Sequence, residues 1–274
     1  MKRFFLTIMA AAAIMPLTGC DLLSELLEGM LDDGGEEEET VYVDKWANLV
    51  NETAYDVTVD GGRLTYGSHN YSVAGDIDFD FDPAQYTQQV TATVTFSNIP
   101  SGYTEFKAVY EGLLGKSIQG AAAMVPMAME IYARDAETGK KCFQLLCVDD
   151  LTVDGILRNL KQKIVPSKYA PEDDNYIQRY LPAALLKGAN YENAYAPVTP
   201  YVVETGASAN KFQETKMAPY GTVYYVYIFA DGWDSRNRGV DVFLPDGASL
   251  YKVQNCPSCY TQCKTIKGTW GGLK

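Results

Sequence analysis

One histidine, His69, serves all 274 residues. A metal centre built on several imidazoles is therefore excluded within one chain, and at most one histidine-based catalytic site remains. Cations are scarce as well, with 23 lysines and arginines against 35 acids and a net charge of −12. The chain lacks the basic surplus that would grip a phosphate backbone, so nucleic acid is not an expected partner. Two ligand signatures fail for want of a glycine. Gly115-Lys116-Ser117 suggests a phosphate loop, but Tyr110 stands where that loop needs glycine, and the segment follows a helical pattern instead of a strand. Asp76, Asp78, Asp80 and Asp82 suggest a calcium loop, but Phe81 replaces the glycine and Thr87 the final glutamate. The serine-hydrolase elbow is likewise incomplete at Gly115-Lys116-Ser117 and at Gly206-Ala207-Ser208-Ala209-Asn210, each lacking its last glycine. No cofactor is expected.

What is present begins with an address. Lys2 and Arg3 precede an apolar run, Phe4 to Leu17, that is too short to span a bilayer comfortably, and Leu17-Thr18-Gly19-Cys20 closes it. This ending resembles the lipobox of bacterial lipoproteins, which implies a signal peptide over 1–19 and acylation of Cys20. Residues 20–40 then read as a lipidated cysteine and an acidic tether. Nine carboxylates and no cation fall between 21 and 40, and Asp32-Asp33-Gly34-Gly35 leads into Glu36 to Glu39, a run that repels itself and stays extended. Most of the chain's acidity belongs to this tether. The expected location is the envelope, on a membrane through the lipid, facing the periplasm or the outside and most simply on the outer membrane.

Residues 41–274 show no internal repeat and no second linker, and read as a single domain. The stretch Tyr103–Ile164 is its only long region of helical periodicity. Phe106, Val109, Tyr110, Leu113 and Leu114 make one apolar stripe, and Val153, Ile156, Leu157 and Leu160 another, with Thr152 as the expected N-cap. Between them Gly120-Ala121-Ala122-Ala123-Met124 allows close helix approach, while Pro126 predicts either a kink or a new helix start. Further short helices are expected around Asn175–Leu181 and Ala183–Lys187, the latter stopped by Gly188.

Strand patterns flank this region. Thr53, Tyr55, Val57 and Val59 alternate with polar residues before the turn Asp60-Gly61-Gly62; so do Ile77, Phe79 and Phe81, and Val90, Ala92, Val94 and Phe96. Thr222 to Ala230 is apolar on both faces, as a central strand should be, and Pro245-Asp246-Gly247 is a turn between Val240–Leu244 and Ser249–Val253. Strands, then helices, then strands predict an α+β fold, with antiparallel sheet from the N- and C-terminal parts packed against a central helical layer.

Three segments carry a likeness. Lys107-Ala108-Val109-Tyr110-Glu111-Gly112-Leu113-Leu114-Gly115-Lys116, Tyr180-Leu181-Pro182-Ala183-Ala184-Leu185-Leu186-Lys187-Gly188 and Tyr260-Thr261-Gln262-Cys263-Lys264-Thr265-Ile266-Lys267-Gly268-Thr269-Trp270 resemble, in order, an uncharacterised family of lipid-anchored or secreted proteins from anaerobic Gram-negative bacteria, classed as a domain of unknown function. The resemblance implies no activity.

Candidate sites are few. Cys256, Cys259 and Cys263 form the densest thiol cluster, and with Cys142 and Cys147 leave an odd number once Cys20 is acylated. Zinc, a disulfide in the tail, or free thiols are the alternatives. Cys142 and Cys147, five apart on a helical pattern, point away from each other. His69, beside Ser68 and Asn70 near glycines, reads as a loop residue. Tyr224, Tyr225 and Tyr227 precede Trp233, Asp234, Arg236 and Arg238, which together form the expected platform for a glycan or protein ligand; the competing interpretation is a core strand followed by a polar turn. The function expected is a lipid-anchored envelope module that binds without catalysis. The alternative is a hydrolase using carboxylate chemistry on a glycan or peptide.

Overall fold

The computed structural model describes residues 50–79, 89–164, 179–207, 213–216 and 221–266. The expected α+β class is met by an antiparallel sheet and four helices. The strands are β1 (Val57–Asp60), β2 (Arg63–Tyr66), β3 (His69–Gly75), β4 (Ala92–Phe96), β5 (Tyr201–Ala207), β6 (Gln213–Lys216), β7 (Gly221–Phe229), β8 (Asn237–Pro245) and β9 (Lys252–Asn255). Each pairs with its neighbour in chain order, β1-β2-β3-β4-β5-β7-β8-β9, and β6 continues along the same edge of β7 that β5 occupies. The sheet is thus one long meander. Among the described residues all four α-helices lie in the connection between two adjacent strands, β4 and β5, which pair from Ala92 against Thr205 to Phe96 against Tyr201.

That connection holds α1 (Tyr103–Gly112), α2 (Ile118–Arg134), α3 (Ala136–Leu146) and α4 (Asp150–Lys161). Their boundaries follow from capping. The Ser117 hydroxyl accepts the Gly120 N–H at 3.1 Å, so the residues that mimic a phosphate loop are the N-cap of α2. Asp135 closes α2 and opens α3, its carboxylate accepting Thr138 N–H at 2.7 Å. The cap of α4 is Asp149, not Thr152; the carboxylate takes the Thr152 N–H at 2.7 Å, because an N-cap accepts from the residue three positions on. Pro126 lies inside α2, which runs on past it.

Fourteen of the seventeen residues of α2 are buried, and the helix touches β4, β5, β7, β8 and β9. The alternating residues Ala92, Val94 and Phe96 of β4 are buried, as are Val226 and Ile228 of β7 and Val240 and Val242 of β8. The expected central strand at 222–230 is β7, paired on both sides. The first strand is shorter than its pattern: Thr53 and Tyr55 lie outside β1, and Val57 and Val59 are exposed on this edge strand. Ile77 and Phe79 lie in a non-strand segment, while Asp80, Phe81 and Asp82 are outside the described residues. The helix expected at Asn175–Leu181 falls mostly outside them too, and only a 3₁₀ turn forms at Ala183–Leu185.

The insertion also closes the far edge. Val148 N–H donates to Val253 O at 3.1 Å, Cys147 bridges Val253 in parallel, and the Tyr110 hydroxyl donates to Tyr251 O at 2.7 Å. Backbone from the helical segment therefore satisfies part of the β9 edge.

The α2–α3 corner depends on one absent side chain. A Cβ on Gly139 would stand 2.1 Å from Tyr132 Cα, a backbone atom that cannot swing away. Alanine gains about 1 kcal/mol of helix propensity over glycine, but overpacking against backbone costs about 3 kcal/mol, so the clash wins. Gly139→Ala is expected to lower stability by about 2 kcal/mol, seen as a melting temperature several degrees below the parent's. An unchanged or raised melting temperature would refute the close crossing.

Candidate functional site

The N-terminus of α1 is where the meander and the insertion meet. Its first N–H groups have no side-chain cap from Gly102. Glu52, far away in sequence, supplies one instead: its carboxylate accepts Tyr103 N–H and Thr104 N–H, both at 2.8 Å, and the Thr104 hydroxyl at 2.6 Å. Partial burial pushes the Glu52 carboxyl up, but the bonds from Thr104 and Tyr103 outweigh it and hold the group below its ordinary range. An anion at a helix N-terminus is also favoured by the helix dipole.

One turn on, Glu105 is 1% exposed. Burying a carboxylate is costly unless donors replace water. Four do so. Oε1 accepts the Tyr71 hydroxyl at 2.8 Å and His69 Nδ1–H at 2.7 Å; Oε2 accepts Ser101 N–H and the Ser101 hydroxyl, each at 2.7 Å. With its proton on Nδ1 the imidazole donates to Glu105 and keeps Nε2 as an acceptor. Burial, then the adjacent Glu105 charge, pushes the Tyr71 phenol far above its ordinary range, which keeps it a donor.

These groups floor a pocket of about 160 Å³ lined by Asn51, Tyr55, Tyr66, Ser68, His69, Ser101 and Glu105. The His69 side chain is 26% exposed. Tyr66 packs edge-on against Tyr55 with ring centres 5.7 Å apart, and donates its hydroxyl to Thr53 O at 2.9 Å. Gly67 makes the turn beneath them with φ +55°, where a Cβ would also stand 3.1 Å from the Tyr55 ring. His69 is therefore not the simple loop residue its neighbours suggested. It opens β3, paired with Tyr66, and is held from the core side. Glu105 carried a legible signal: it lies four residues before Val109, on the same buried stripe of α1. Asn51, Tyr55, Tyr66, Tyr71 and Ser101 carried none, because only the fold assembles them.

The residues of the expected platform sit elsewhere. Trp233 donates its Nε1–H to Gln262 O at 3.0 Å and lies 4.7 Å under the Arg238 guanidinium. Arg238 is buried and donates to Ser235 O at 2.7 Å. Arg236 pairs with Asp231 at 2.6 Å, and Asp234, 93% exposed, pairs with Lys264 at 2.7 Å. Trp233 and Arg238 thus clamp the 258–264 segment onto the end of β8, while Arg236 and Asp234 pair with other charged side chains. Tyr225, Tyr227 and Phe229 form an edge-to-face ladder on the other face of β7 from Val226 and Ile228.

All five cysteines of the domain are buried, and none forms a disulfide. Burial pushes the Cys147 and Cys263 thiols up to about 12 and Cys142 higher still. A hydrogen bond with Cys259, then burial, holds Cys256 well above its ordinary value. Thiols this hard to ionise are poor nucleophiles and ligands. Among the described residues no group of three or more histidine, cysteine or acidic side chains is placed to hold a metal ion.

Removing the clamp should cost stability. Trp233→Ala loses a cation–π contact, a hydrogen bond and apolar contact, together about 2–3 kcal/mol. Its melting temperature is expected to fall by several degrees, because the half-buried indole is tied to Gln262 and Arg238, where the sequence reading expects little change. A melting temperature equal to the parent's would restore the platform.

No curated protein and no solved structure matches this chain. A family match runs from residue 98 to residue 267, which takes in all four helices and β5 to β9 and stops short of β1 to β4. Ser101 and Glu105 fall inside the match and His69 outside it. With well over half of its length in that match, the chain belongs to the family described as Domain of unknown function (DUF6935).

Proposed function

We propose that this chain is a lipid-anchored envelope protein whose domain is a non-catalytic binding module, with the His69 pocket as its contact point. Cys20 carries the acyl chains, residues 21–40 form the acidic tether, and the module meets a glycan or protein of the envelope, from the outer membrane. The lipobox-like Leu17-Thr18-Gly19-Cys20 behind a signal-like run supports the anchor. Among the described residues no helix is long and apolar enough to cross a membrane.

One observation carries the binding reading. Among the described residues Glu105 is the only carboxylate lining the pocket, and all four of its lone-pair positions are taken by donors. It is a fixed support for His69, its oxygens engaged by the chain's own groups. Hydrolysis by a carboxylate pair needs a second acid in the same cleft, and the described residues of the lining supply none.

A second reading is favoured by the His69–Glu105 pair itself, since a carboxylate behind an imidazole also orients a general base. The Ser101 hydroxyl does not serve as its nucleophile, because it is turned to Glu105. Water would have to attack.

Two experiments separate these possibilities. Cys20→Ala is expected to move the protein from the detergent phase to the aqueous phase, because several acyl chains are needed for stable attachment; unchanged partitioning refutes the anchor. The full chain is expected to turn over no member of a glycan and peptide library. Turnover that disappears in His69→Ala, with the melting temperature preserved, would replace binding by catalysis.

A further inference from the structure

We infer that the His69 pocket takes a single neutral sugar ring of a glycan, an inference that rests on the binding reading above. The lining decides the charge of the ligand. Among the described residues no lysine or arginine lines the pocket, so they offer a phosphate or carboxylate no countercharge. The one carboxylate is saturated from behind, so an amine would find no free acceptor of opposite charge. A neutral ligand remains.

What the pocket does offer is a set of uncharged hydrogen-bonding groups beside an aromatic face. Among the described residues the Asn51 amide N–H₂, the Ser68 hydroxyl, the Tyr55 hydroxyl and His69 Nε2 carry no hydrogen bond. The amide donates, the two hydroxyls both donate and accept, and the imidazole nitrogen accepts. Alternating donors and acceptors around a ring of hydroxyls match that inventory. Tyr55 is 49% exposed, and its ring gives a surface on which the C–H face of a sugar lies.

Size and edges argue against a peptide. At about 160 Å³ the pocket is well below the roughly 300–1,000 Å³ of sites that enclose a drug-sized ligand, and has room for one ring. A bound peptide strand would need a free sheet edge. Tyr66 and His69 are already paired with each other, β2 and β3 each have a partner on both sides, and the free edge at this end of the sheet belongs to β1, none of whose residues lines the pocket.

The single histidine makes the test direct, because the full chain has one imidazole signal. Its Cε1–Hε1 resonance is followed by NMR at constant pH against methyl glycosides of neutral hexoses and N-acetylhexosamines. N-methylacetamide, acetate, inorganic phosphate and methylammonium serve as comparators. The glycosides are expected to shift the resonance saturably, with an affinity at least about tenfold above every comparator. Tyr55→Ala, a half-exposed position whose folding is checked by melting temperature, is expected to weaken the best glycoside about tenfold. Glycosides that leave the resonance unmoved, or that move it no more than the comparators, overturn the inference. A response to N-methylacetamide alone overturns the sugar and leaves the binding module standing. Release of methanol from a bound glycoside overturns the non-catalytic reading and leaves the sugar in its pocket.

Discussion

The burial of α2 is the constraint on which the rest of the structure depends. A helix with fourteen of seventeen residues inside must be met by apolar surface on nearly every side. The meander supplies that surface through β4, β5, β7, β8 and β9, and α1 and α3 supply more. Gly120-Ala121-Ala122-Ala123 lets this crowding happen, because small side chains allow neighbouring backbone to come close. A Cβ at Gly120 would fall 2.1 Å from Leu114 O. Pro126 is tolerated in such a place since the surrounding packing, not local propensity, holds the helix.

Placing all four helices in the β4–β5 connection has a consequence for the site. Sheet neighbours before and after the insertion must align in register, so the insertion has to leave β4 and return close to where it left. Its first helix therefore starts over the β2–β3 hairpin, and α1 touches β2. The N-terminus of α1 meets the segment before β1, where Asn51 N–H donates to Ser101 O at 2.8 Å and Glu52 caps the helix. The pocket forms at this seam. Its polarity follows from the same geometry, since a helix start and a hairpin end both bring backbone groups that demand partners.

Glu105 and Arg238 show two ways of burying a charge in one domain. Glu105 receives four donors and becomes a rigid support that holds His69 at the pocket. Arg238 receives carbonyl oxygens and an indole face, and becomes a clamp for the C-terminal segment. Burial lowers the Arg238 pKa from its ordinary value, as it must for a cation taken from water. One arrangement holds a partly exposed imidazole at a pocket; the other is spent on the chain's own carbonyls. That difference is why the pocket, and not the turn at Trp233, is the candidate site.

The sequence by itself determined the local choices. Period-two alternation at Ala92–Phe96, the continuous apolar run of β7, the stripe at Phe106, Val109 and Tyr110, and the turn at Pro245-Asp246-Gly247 are all present as written, because backbone geometry and solvent exposure set these patterns residue by residue. The thiol cluster and the tyrosine-rich strand were equally visible, but their chemistry was not. Only the tertiary structure decided that Trp233 and Arg238 face the chain's own carbonyls and that the cysteines stay buried without a disulfide. It alone brought His69 to Glu105, 36 positions apart, and Glu52 to Thr104, 52 apart. No local propensity encodes such pairs. They exist because closing the sheet around α2 brings the start of the insertion onto the hairpin that precedes it, and buried polar groups must then find partners within reach.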